Sequence, residues 1–198
     1  MNEVQNQWDE RYSNEEYFYG KKPNEFLKDE LKKLQAGKIL FPAEGEGRNC
    51  VFAATKGWES VAFDSSIEGQ KKAILLAKEM NVSIEYSLKS YSEFVAKENF
   101  FDVVALIFAH NSNRQNVHRK MISYLKKGGM IILEGFNKNQ LNYGTGGPKS
   151  LDLLFSKDEL EEDFKSLSSL IIEEKILSLD EGKHHFGQSS VIRLIGVK

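Results

Sequence analysis

The class this 198-residue sequence predicts is an α/β fold on a doubly wound, mostly parallel sheet, and three observations carry the prediction. Short β-rich runs alternate with longer stretches of helical periodicity from residue 38 to residue 136. One of those runs ends in a glycine turn that opens a helix. The last thirty residues change to two strand-like runs joined by a polar turn, the mark of a hairpin rather than another crossover.

In chain order, residues 1–35 come first. Their aromatic-rich stretch WDERYSNEEYFYGKKPNEFL precedes the sheet and is expected to form a helical cover across one end of an α/β core spanning 36–198, the whole forming a single domain. The strand candidates are KILF (38–41), ESVAF (59–63), VSIEY (82–86), DVVALIF (102–108) and MIILEGF (130–136). Between them lie RNCVFAATKG, SIEGQKKAILLAKEMN, a shorter segment around YSEFVAKE, and RQNVHRKMISYLKKGG. In the last of these Val117, Met121, Ile122 and Leu125 fall at helical spacing, and KKGG reads as a cationic final turn followed by a glycine stop. The segment YGTGGPK (143–149) is too glycine-rich for helix or strand and reads as a lid.

Composition narrows the function classes. With 27 basic and 29 acidic residues the net charge is −2, which gives no electrostatic footprint for nucleic acid. No run approaches the roughly 20 apolar residues of a membrane span. The single cysteine, Cys50, can form neither an internal disulfide nor a multi-thiolate metal site, and a reducing cytoplasm is the expected compartment.

The stretch ILFPAEGEGRNC (39–50) delivers a strand into a Gly-x-Gly turn, so Gly45 and Gly47 mark a ligand site at the strand's carboxyl end. A dinucleotide fingerprint would place a third glycine at position 50, where Cys50 stands. Asp64 closes the second strand and can accept hydrogen bonds from both ribose hydroxyls of an adenosine, in NAD or S-adenosylmethionine alike. Glu44 separates the two: beside a pyrophosphate its carboxylate is repulsive, beside a sulfonium and an α-amino group it is attractive.

At these residues the chain resembles the class I S-adenosylmethionine-dependent methyltransferases, and among them the small bacterial group related to tellurite-resistance and thiopurine methyltransferases. The resemblance runs through WDERY, YFYGKKPNEFL, AEGEGRN, VAFDSS, FDVVALIFAH, LKKGGMIILEGF, QLNYGTGGPKS and DEGKHHFGQSSVIRLIGVK. It implies a Rossmann-like seven-stranded sheet whose last strand is antiparallel. It also implies Glu44, Gly45 and Gly47 around the methionine portion of the cofactor and Asp64 on the ribose, with Ser65 and Ser66 near the same edge. Many relatives carry an acidic residue after the third strand for the adenine amino group; here Ser87 stands in its place, leaving adenine to its hydroxyl and the Leu88 NH. Trp8, Arg11, Tyr17 and Tyr19 resemble the N-terminal cover, with Arg11 paired to the cofactor carboxylate.

In a parallel sheet the loops after successive strands share one rim, which brings His110, Arg114, Asn137, Gln140, Tyr143 and His185 together by topology. His110 and His185 are candidate bases, since imidazole titrates near neutrality; Arg114 is a candidate for an anionic acceptor. His118 and His184 are expected to face solvent. Glu181, His184 and His185 at a hairpin tip are too few for zinc, so no metal is expected. The leading function is methyl transfer from S-adenosylmethionine, giving S-adenosylhomocysteine, to a small, soft or anionic molecule. The alternatives are a nicotinamide-dependent oxidoreductase and a non-catalytic S-adenosylmethionine-binding module. The pattern assigns no oligomeric state.

Overall fold

The computed structural model describes residues 3–182 and 185–198. Seven strands form one sheet in the order β3-β2-β1-β4-β5-β7-β6. The chain divides into two compact units, Met1–Val95 and Ala96–Lys198. Among the described residues no helix is long and apolar enough to cross a membrane.

In the first unit β1 (Lys38–Pro42) pairs parallel with β2 (Glu59–Asp64), and β2 with β3 (Glu85–Leu88). Ile39, Leu40, Phe41 and Ala62 are fully buried, the continuous apolar run expected of interior parallel strands. The crossovers are helices α3 (Arg48–Thr55) and α4 (Ile67–Glu79), preceded by α1 (Glu3–Tyr12) and α2 (Glu25–Leu31). Both crossover helices end in the same way. After α3, Gly57 at φ 87° lets Trp58 NH bond Ala53 O and Gly57 NH bond Ala54 O. After α4, Asn81 at φ 53° does the same for Val82 and Ala77.

That second ending explains why β3 lies three residues later than the sequence pattern suggests. Val82 and Ile84 are spent on the cluster of Val51, Leu76 and Ala77 beneath α4, with Tyr17 against it, before the chain reaches the sheet. The expected helical segment around YSEFVAKE is a single turn, closed by Phe94 NH to Ser90 O and capped by Glu93 on the Ser90 NH and hydroxyl. Phe94 then stacks on Phe63 at 4.2 Å, which anchors the segment without a helix.

In the second unit β4 (Phe101–Ile107) pairs parallel with β5 (Leu125–Phe136), with α5 (Arg114–Tyr124) as the crossover. β7 (Phe186–Val197) runs antiparallel to both β5 and β6 (Ser169–Asp180), so the hairpin read from the sequence is present and its second strand is the inner one. β5 starts earlier than expected. Gly128 NH bonds Lys198 O and Lys198 NH bonds Gly129 O, drawing KKGG into the sheet instead of ending α5. Helix α6 (Lys157–Phe164), which has no counterpart among the elements expected from the sequence, carries a Ser156–Glu159 capping box and buries Leu160 and Phe164.

Candidate functional site

In the first unit the site grows from the carboxyl ends of β1 and β2. The chain leaves β1 through three residues of positive φ, Ala43 (51°), Gly45 (62°) and Gly47 (87°). Asp64 at the end of β2 ties the two loops together: its Oδ2 accepts the Gly45 NH at 3.0 Å and its Oδ1 the Ser66 NH at 2.8 Å. The Tyr86 hydroxyl donates to Gly45 O at 2.6 Å. Gly45 also lies under Tyr12, since a Cβ there would stand 2.6 Å from the Tyr12 hydroxyl. Burial raises the Asp64 carboxyl, while the amides of Ser66, Gly45 and Ser65 pull it back. It pushes the Tyr12 and Tyr86 hydroxyls well up, and Asp64 adds to both.

Glu44 is turned inward on the helix that follows. Its Oε1 accepts the NH groups of Asn49 and Cys50, each at 2.8 Å, in the first turn of α3. Gly47, the residue before the helix, has no side chain to supply such a cap. Burial pushes the Glu44 carboxyl up to about 7, against the lowering effect of the Cys50 and Asn49 amides and of Arg48. Glu46 is a structural carboxylate: it accepts the Phe18 NH at 2.8 Å and pairs with Lys72 at 2.8 Å. Gly47 has a packing requirement of its own. A Cβ at Gly47 would lie 2.5 Å from the Ala73 Cβ, so this glycine admits α4.

The N-terminal cover is built over the same loops. The Arg11 guanidinium lies 4.6 Å over the Trp8 ring and 5.8 Å from that of Phe18, and it hydrogen-bonds Tyr19. Asp9 accepts the Ser66 hydroxyl at 2.5 Å and the Glu68 NH at 3.3 Å, fastening α1 to the start of α4. Tyr17 donates to Lys72 O at 3.0 Å. Leu88 stands opposite Asp64 in the β2–β3 register, 40% exposed, with the half-buried Ser87 before it. The structure therefore gathers Glu44, Gly45, Asp64 and Ser65 at one edge. It adds Tyr12 and Tyr86, which sequence reasoning missed. Tyr12 carried a signal, four residues after Trp8 and so on the same helix face; Tyr86 carried none beyond its place in a strand.

In the second unit three of the sequence expectations change. His110 is not an open base: its Nδ1 meets Leu153 O at 2.6 Å and its Nε2 accepts the Phe136 NH at 3.2 Å. Burial holds its pKa down to about 4, so it is a neutral Nδ1–H tautomer tethering two chain segments. Arg114 faces carboxylates of its own unit, Asp163 at 3.3 Å and Glu159 at 3.6 Å. These are ion pairs without a hydrogen bond at Arg114 Nε, and they give the buried Asp163 carboxylate the countercharge it requires. His118 is buried rather than solvent-facing; its Nδ1 bonds Asp163 at 2.8 Å and its ring stacks on Phe164 at 4.6 Å. His184 lies outside the described residues.

His185 is buried at 5% exposure in an aromatic setting, its ring 4.6 Å from Phe108 and 5.1 Å from Phe136, with Nδ1 3.5 Å from the Glu181 carboxylate. The expected lid is bolted down. Thr145 donates to Gln188 O at 2.6 Å, and buried Gln140 links Thr145, Gly146 and the Ser190 NH. Gly147 presses on Phe136, whose ring a Cβ would meet at 2.8 Å. Asn137 is likewise buried, bonding Glu174 and Val191 O, while Tyr143 is half-buried.

No family model matches the sequence, and neither does any curated protein. Solved structures do match. One, from work on the conversion of a disulfide bond into a thioacetal group during echinomycin biosynthesis, is 15% identical with a TM-score of 0.71 over 98% of this chain and 92% of that one. TehB from Haemophilus influenzae is 16% identical with a TM-score of 0.72, over 98% of this chain and 66% of that one. A SAM-dependent methyltransferase from Methanosarcina mazei is 16% identical with a TM-score of 0.62, over 86% and 96%. The chain has the class I methyltransferase fold, a seven-stranded and mostly parallel sheet with β7 running antiparallel.

Proposed function

We propose that the chain is an S-adenosylmethionine-dependent methyltransferase acting on a small molecule, of the tellurite-resistance and thiopurine kind. One observation carries the choice of cofactor. The carboxyl of Glu44 takes the Asn49 and Cys50 amides of α3, so the anion position at that helix start is filled by the chain's own side chain. A pyrophosphate would need those amides and would meet a like charge; a sulfonium and an ammonium meet an opposite one. This sets the nicotinamide reading aside.

The rest of the loop fits the same ligand. The Asp64 carboxyl accepts the Gly45 amide on Oδ2 and the Ser66 amide on Oδ1, with the Ser65 amide beside them, and its remaining acceptor capacity is offered to the ribose. Arg11, held over Trp8, is the partner for the cofactor carboxylate, with Trp8 and Tyr19 walling that end; Ser65 supports the loop, and Ser87 with the Leu88 NH serves the adenine. S-adenosylmethionine supplies an electrophilic methyl group, and its product is S-adenosylhomocysteine. The chain's contribution is positioning, which can supply about 7 to 11 kcal/mol of a barrier. In the second unit His185, oriented by Glu181, is the residue to accept a proton from the acceptor, and Phe108 is its apolar neighbour. His110 and Arg114 hold the framework. A lone buried cysteine suits a cytoplasmic protein.

Calorimetric titration with S-adenosylmethionine, S-adenosylhomocysteine and NADH tests the reading: the first two bind and the third does not. Folded protein that binds neither S-adenosyl compound ends it. A labelled-methyl screen over thiols, heterocyclic sulfur compounds and tellurite then separates turnover from binding alone.

A further inference from the structure

β6 stands at the end of the sheet, so alternate residues point their NH and carbonyl groups away from β7. It runs 12 residues, Ser169–Asp180, without proline, and its register with β7 is unbroken from Ser169↔Val197 to Asp180↔Phe186. Edges of this length are ordinarily blunted by a bulge, a proline or a covering segment. Among the described residues β7 is the strand paired with β6, and the centre of β6 carries three charges, Glu173, Glu174 and Lys175, between Ile171 at 60% and Ile176 at 62% exposure.

We propose that β6 pairs antiparallel with β6 of a second copy of this chain, about a two-fold axis through Glu174. Two outward-facing edges can meet only in registers centred on a residue, because the hydrogen-bonding groups of both strands must face each other. Centred on Glu173, the pairing sets Ile171 against Lys175 and Ile172 against Glu174. Centred on Lys175, it sets Glu173 against Leu177 and Glu174 against Ile176. Centred on Glu174, the three pairs flanking the axis are complementary: Glu173 with Lys175, Ile172 with Ile176, and Ile171 with Leu177, each made twice, while the outer pairs set Leu170 against Ser178 and Ser169 against Leu179. The axial Glu174 carboxylates are the one like pair, and Asn137 Nδ2 already donates to Glu174 Oε1 at 3.3 Å, drawing that charge toward its own chain. Glu173 and Lys175 pair within one strand at 2.8 Å, and the proposed register repeats that pairing across the axis. Twelve residues a side is below the roughly 20 to 30 of a standard interface, so the dimer dissociates on dilution.

Sedimentation velocity over a concentration series tests this, with circular dichroism reporting that each variant is folded. The expected result is a monomer–dimer equilibrium that Glu173→Lys and Lys175→Glu each weaken at least tenfold and that the double exchange restores. Glu174→Cys should cross-link across the axis under mild oxidation faster than Ile171→Cys, since facing Cα atoms in an antiparallel pair lie within disulfide reach; the native Cys50 is buried. A monomer at every concentration overturns the proposal. So does a dimer indifferent to both charge changes, or cross-linking no faster at 174 than at 171.

Discussion

The Gly45 NH lies 3.0 Å from Asp64 Oδ2, so the residue that closes the second strand also fixes the glycine turn that follows the first. Asp64→Ala therefore has two effects. The amides of Gly45 and Ser66 lose their acceptor in a buried place, at about 1 to 3 kcal/mol each, and S-adenosylmethionine loses its ribose partner. Urea unfolding should show the first and calorimetry the second. Unchanged stability would mean that water replaces the carboxylate; unchanged affinity would mean that the ribose lies elsewhere.

Glu44 gives a pH signature. Its carboxyl is raised to about 7 from an ordinary 4.5, so between those values the folded protein holds a proton that the unfolded chain has released. Its contribution to stability is complete below pH 4.5 and fades as pH rises through 7. His110, lowered to about 4, works in the opposite sense, with stability fully present above pH 6.5 and lost as pH falls toward 4. The wild-type profile sums the two, so the informative quantity is its difference from Glu44→Gln, which should decline between pH 5 and 7.5. A flat difference would show that Glu44 is ionised throughout. Cofactor affinity should rise over the same interval in wild type only.

Arg114 should prove a stability residue. It and His118 converge on Asp163, whose side chain is fully buried. Asp163→Ala takes the carboxylate from the part-buried Arg114 and the buried His118, a loss of about 1 to 3 kcal/mol. Arg114→Ala should lower the unfolding midpoint and leave the KM for an anionic acceptor unchanged. A raised KM with unaltered stability would return Arg114 to the acceptor site.

His185→Ala should lower turnover about 10²- to 10⁴-fold while sparing cofactor binding, the range for losing a general base. Glu181→Gln, which removes the carboxylate 3.5 Å from Nδ1, should lower kcat by less than His185→Ala does. Full activity in His185→Ala removes it from the reaction.

Most of the sheet is legible in the sequence because parallel interior strands are written as apolar runs: KILF and DVVALIF mark β1 and β4 to within a residue. What escapes the pattern is decided by partners distant in sequence. KKGG looks like a helix stop until Lys198 pairs with it. His110 and Arg114 look like rim chemistry until Leu153 O and Asp163 claim them, 43 and 49 residues away. In the sequence Glu44 stands as a charge facing the ligand, and the structure adds that it caps its own helix; that use is legible, since a helix opened by glycine needs a cap from elsewhere.

The inner position of β7 governs how this protein can be made. β6 leaves the ribosome first, yet it has no neighbour in the sheet until residues 186–197 follow it and insert beside β5. During synthesis β5 and β6 both present unsatisfied edges, and the Gln140–Thr145 fastening waits on Gln188 and Ser190. The second unit therefore closes in one late event, and the nascent chain before that event is the species on which chaperones and aggregation compete.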